Sequence, residues 1–128
     1  LAGFALDTRS MGLHHAVCHV VGGLTQIPHG IVNAVVLPHA LRANAHLAPS
    51  AVAAVADAFG IPDLAARAEA IAAAFALPRT FAELGAPDDL VERALPRVME
   101  QPLLANNPAP PDEATVHALL QRAYAGTS

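Results

Sequence analysis

Apolar residues recur at helical spacing along most of the chain, and no stretch alternates with the period of a strand. Projected at about 100° per residue, Met11 to Gly23 forms a helix with two faces. Leu13, Val17, Val20 and Leu24 fall on one side. Gly12, His15, His19 and Gly22 fall on the other, with His14 and Cys18 between. That pattern predicts a helix buried all round, whose glycines let something approach the histidine face closely. Ser10 is placed to cap it, and Gly22-Gly23 to end it. Upstream, Leu1 to Leu6 reads as the last turns of an earlier helix, and Asp7 to Ser10 as a polar loop.

Leu24 to Pro28 is a short loop, in which Pro28 fixes the chain just before His29. The next apolar run, Ile31 to Ala45, contains Pro38, which predicts a kink or a split into two helices. Ser50 is the expected N-cap of AVAAVADAF, which stops at Gly60. Pro62-Asp63 then starts a helix through Ala76, with Leu64, Ala68, Ile71 and Phe75 on one face. Pro78-Arg79-Thr80 breaks it, and Thr80 to Leu84 is one turn ended by Gly85. Pro87 to Glu100 is a further helix, with Leu90, Ala94 and Val98 inward and Pro96 weakening its middle. A proline- and asparagine-rich loop, Gln101 to Pro111, leads to the last helix. Asp112 caps it, Val116, Leu119, Leu120 and Tyr124 form its packing side, and it ends near Ala123. The expected fold is an all-α helical bundle, and 128 residues suffice for one domain with a core.

Composition narrows this picture. The chain is 54% hydrophobic but only 4% aromatic, so the core must be built by close packing of Ala, Leu and Val. All seven basic residues are Arg, scattered in a chain of net charge −4. With no basic stripe to hold phosphates, nucleic acid is not an expected partner. The longest apolar run, Ala70 to Leu77, is far short of the ~20 residues of a membrane-spanning helix. One cysteine, Cys18, allows no intrachain disulfide and fits a reducing cytosol. The sequence starts at Leu1, not Met, which is the expectation for a fragment or a domain cut from a longer chain.

Candidate chemistry concentrates in Gly12 to His39, which holds five of the seven histidines and no acidic residue. His15 and His19, at i and i+4, share one helix face and can address one ligand. His29, at a loop–helix junction, can be aimed back at that face. Imidazoles suit Fe(II) or Zn(II), yet a catalytic metal wants three or more protein ligands, and no carboxylate lies between Thr8 and Ala56. On this pattern two readings stand side by side: half of a metal or active site, or buried histidines bonded to backbone. His39 and His46 are expected to cap carbonyls or face solvent, His117 to be solvated, and Cys18 to be a buried small hydrophobe.

The stretch GLHHAVCHVVGG…PHGIVNAVVLPHALRAN resembles the C-terminal helical domain of the iron-containing alcohol dehydrogenase family. GLHHAVCH is most similar to the maleylacetate reductase branch, as is the tail NPAPPDEATVHALLQRAYAG, while LAGFAL resembles the family helix just before the histidines. PHGIVN, by contrast, looks more like the metal-dependent alcohol dehydrogenases. The resemblance implies a two-domain, dehydroquinate synthase-like fold, of which residues 1–128 are part of the helical domain. A dinucleotide-binding domain carrying NAD(P)H would precede it, and the active site would lie in the cleft between them. It implies that His15 and His29 are metal ligands, for Fe(II) or Zn(II), in metal-dependent members. An Asp and a His from an earlier helix would complete that set. His19 would be the catalytic histidine beside nicotinamide and substrate. The implied activity is hydride transfer from NAD(P)H to a small molecule by a cytoplasmic homodimer. In the maleylacetate reductase branch the target is an activated C=C bond, no metal is generally required, and the same histidines would bind or protonate substrate. The alternatives are a metal-dependent alcohol dehydrogenase and, in another class, a truncated non-catalytic helical module.

Overall fold

The computed structural model describes residues 12–107, 109 and 111–126. Leu1 to Leu6, the Ser10 cap and Met11 lie outside the described residues. Every regular element among those described is helical. The α-helices are α1 (Gly12–Leu24), α2 (His29–Leu47), α3 (Pro49–Phe59), α4 (Leu64–Ala74), α5 (Leu90–Met99) and α6 (Glu113–Ala125). Short 3-10 turns at Ala82–Leu84 and Pro102–Asn106 join the later helices. Among the described residues no helix is long and apolar enough to cross a membrane.

Helix α1 is the central rod. It packs on α2, on α5 and on the turn Pro102–Asn106, while α2 also touches α3, α4 and α6. Leu13, Val17, Val20 and Val21 of α1 are buried against Val32, Val35 and Val36 of α2. Phe81, Leu90, Val98, Val116, Leu119 and Leu120 close the same core. As the periodicity predicts, Leu90, Ala94 and Val98 are the buried stripe of α5, and Val116, Leu119 and Leu120 that of α6. The Asp112 carboxylate accepts from Thr115 N at 2.8 Å and caps α6. Gly60 and Gly85, at positive φ, end the segments before them, where a side chain would strain the backbone.

Several expectations are corrected. Helix α2 runs from His29 to Leu47 through Pro38, so the chain does not split into two helices there. A proline removes one N–H and crowds the preceding turn, but this helix is held by neighbours along its length, and Pro38 is itself buried. Ser50 is not an N-cap. Pro49, with its φ pre-set for helix, occupies the first turn, so α3 starts earlier, behind Ala48, with no side-chain cap. On α4, Leu64 and Ala68 pack inward beside Leu41 and Ala65, but Ile71 is 48% and Phe75 74% exposed, and Ala65 and Ala72, two turns apart, are the buried residues. Small alanines let α4 approach α2. Finally, α1 is not buried all round: His19 and Gly23 are exposed.

Candidate active-site groove

The open side of α1 is a groove of about 530 Å3, lined by His15, Cys18, His19, Gly22, Gly23, Ile27 and His29. The helical repeat puts His15, His19 and Gly22 in line. A methyl group built on Gly22 or Gly23 would meet nothing, so both glycines border open space. Local geometry brings His29 to the same groove. Thr25 Oγ1 donates to Val21 O at 2.9 Å and accepts from Ile27 N at 3.3 Å, which shapes the link after α1. Pro28, extended at φ −57° and ψ 143°, presents its carbonyl to Ile31 N and Val32 N at 3.0 and 3.1 Å. Helix α2 therefore begins at His29.

The three groove histidines differ in exposure: His15 is half-buried, and His19 and His29 are exposed. His14 turns away from the groove. Its Nε2 lies 3.3 Å from Asn33 O and 3.5 Å from Cys18 Sγ. A carbonyl can only accept, so Nε2–H donates to it. The His14 and His15 rings are 5.7 Å apart. Cys18 is 2% exposed, and burial pushes its thiol up to about 12. It lines the groove as a neutral apolar atom, not as a nucleophile.

Imidazole is the right donor type for Fe(II) or Zn(II). Still, among the described residues no group of three or more His, Cys, Asp or Glu could hold a metal ion. His15 and His29 are two donors without a third, and these residues alone do not make a metal centre.

Two features escape sequence reasoning. First, Asn107 lies buried between helices. Its Oδ1 accepts from Leu13 N at 3.0 Å, and its Nδ2 donates to Asn44 Oδ1 at 2.7 Å and Ala109 O at 2.8 Å. The partners Leu13 and Asn44 are 94 and 63 residues away, beyond any local pattern. Second, His39 is neither a cap nor solvated. It is 8% exposed in mid-helix, and its Nδ1 has no hydrogen-bond partner among the described residues. It borders a cavity of about 240 Å3 with Glu69, Arg79 and Thr80. Burial, then Arg42, lowers its basicity, while Glu69 opposes them. Arg42 pairs with Glu69, whose other oxygen is 3.6 Å from Arg79. His46 is exposed and His117 half-buried.

The model of the Fe-containing alcohol dehydrogenase family, C-terminal part, matches residues 1–124. This chain belongs to the iron-containing alcohol dehydrogenase family. Within that family it is 36% identical over 126 residues to the maleylacetate reductase of Burkholderia cepacia, covering 98% of this chain and 35% of that protein. The 1,3-propanediol dehydrogenase of Klebsiella pneumoniae is 33% identical over 135 residues, covering 97% and 35%. Among solved structures, maleylacetate reductase from Agrobacterium tumefaciens matches with a TM-score of 0.77 and 30% identity, over 90% of this chain and 32% of that one. The chain thus spans about a third of the length of the relatives it matches. The all-α fold is the C-terminal helical fold of the iron-containing alcohol dehydrogenases.

Proposed function

We propose that the protein carrying this chain is an NAD(P)H-dependent maleylacetate reductase, with residues 1–128 as part of its helical wall. The observation that carries the proposal is the open groove on α1 where His15, His19 and His29 meet. The identities of 36%, 35% and 34% to maleylacetate reductases support the substrate. NAD(P)H, held by a nucleotide-binding portion outside this chain, would supply the hydride to one carbon of the activated C=C bond, and the other carbon would take a proton. His19, exposed on the groove wall, stands beside nicotinamide and substrate and delivers or steers the proton. His15 and His29 hold the substrate, their ring N–H groups donating to its oxygens. In a metal-dependent relative the same pair would hold Fe(II) or Zn(II). The complete protein works as a cytoplasmic homodimer, which suits its buried free thiol.

The test is NADH or NADPH oxidation driven by maleylacetate, using the protein expressed from the reading frame that carries these residues. Turnover is expected to survive chelation. His19→Ala is expected to lower kcat by about 10²–10⁴-fold, the usual share of acid–base catalysis. His46→Ala, at an exposed site outside the groove, is expected to change nothing. The isolated 128-residue chain is expected to be inactive. Loss of activity on chelation and its return with Fe(II) or Zn(II), with an aldehyde preferred over maleylacetate, would replace this reading with a metal-dependent alcohol dehydrogenase. Absence of any nicotinamide turnover would leave a non-catalytic helical module.

A further inference from the structure

The start of α1 is held from far along the chain. The first N–H groups of a helix have no partner within it, and a side-chain oxygen usually supplies one from the residue just before. Here Asn107 Oδ1 accepts from Leu13 N. The amide can sit only one way round. Its NH2 group donates to Asn44 Oδ1 and to Ala109 O. Flipping it would set a donor against Leu13 N–H and an acceptor against the Ala109 carbonyl. The side chain is 5% exposed, so water does not stand in if it is lost. Leu13 and His15 belong to the same first turn of α1, whereas His19 lies a turn further on and His29 on α2.

We infer that Asn107 is a positioning residue for His15: its carbonyl oxygen clamps the first turn of α1 and so sets where that imidazole stands in the groove. The inference rests on the proposed reductase reading only for its kinetic consequence. Asn44 has a different place in the clasp. It receives the Asn107 amide on α2, whereas the bond to Leu13 N is made by Asn107. Removing Asn44 therefore weakens the core and leaves the Leu13 cap in place. Removing Asn107 takes away all three bonds, to Leu13 N, Asn44 Oδ1 and Ala109 O.

The experiment compares Asn107→Ala with Asn44→Ala in the complete protein. Histidine ring chemical shifts and amide exchange at Leu13 are read beside kcat, KM and Tm. Asn107→Ala is expected to move the His15 ring shifts and speed Leu13 exchange, with His29 unmoved. Its kcat should fall by about 10-fold or more, the scale for a misplaced group. Asn44→Ala is expected to lower Tm while leaving His15 as in wild type. Wild-type His15 ring shifts or wild-type Leu13 exchange in Asn107→Ala would overturn the inference. If Asn107→Ala does not fold, the wild-type protein decides: a through-hydrogen-bond coupling between Leu13 N and the Asn107 side-chain carbonyl is expected, and its absence would overturn the inference. A wild-type protein without nicotinamide turnover would count against the reductase reading alone, since the NMR and exchange readouts do not need catalysis.

Discussion

Cys18 sits between the apolar and histidine faces of α1, and that position alone marks it as buried. Its 2% exposure agrees. Burial raises the thiol from 9.0 to about 12, so the folded chain keeps a proton that the unfolded chain gives up. The stabilising contribution is complete below pH 9.0 and drains as pH rises towards about 12. Denaturation midpoints followed upward through that window should fall more steeply in wild type than in Cys18→Ala; parallel slopes would show that the folded thiol ionises freely. His39 shows the opposite case. A residue after a proline looks like a helix end, and a helix end invites a solvated or capping histidine. Only the continuity of α2 through Pro38 puts His39 inside, beside Glu69. Asn107 was equally hidden, because its hydrogen bonds to α1 and α2 are made to partners that only folding brings near.

Helices were legible wherever local chemistry decides them. Gly60, Gly85 and Asp112 act as expected, and the inner stripes of α5 and α6 follow their 3.6-residue period. Boundaries failed where two local signals compete. At α3, Pro49 and Ser50 both favour a helix start, and the proline wins. Asp63 instead accepts from Ala66 N at 3.0 Å and caps α4. Asp63→Ala should cost about 0.5–2 kcal/mol, the usual worth of an N-cap, whereas Ser50→Ala should leave stability unchanged. Thermal melts of the two variants check this, and equal losses would show that Ser50 caps after all. On α4, periodicity groups Leu64, Ala68, Ile71 and Phe75, but only the first two pack inward, beside Ala65. Proximity to α2 decided, because alanines permit a closer approach than Ile or Phe.

At the scale of the molecule, aromatic residues of the same type have opposite roles. Phe81 is 1% exposed in the core, and Phe75 is 74% exposed on the α4 side. Phe81→Ala should cost about 3–5 kcal/mol, and Phe75→Ala about 0.5 kcal/mol or less. Chemical denaturation distinguishes them, and a large loss at Phe75 would mean that its surface is packed. The groove obeys the same division. By itself the sequence determined an all-helical chain, its main breaks, and a histidine face on α1 bordered by glycine, because helical period, proline and glycine act within a few residues. It also placed His29 just after Pro28, where a junction can aim it. Tertiary structure decided that this face stays open, that His15, His19 and His29 line one groove, and that Asn107 closes the first turn of α1. Those outcomes depend on how helices lie against one another. Packing and long-range hydrogen bonds set that arrangement across separations a sequence pattern does not encode.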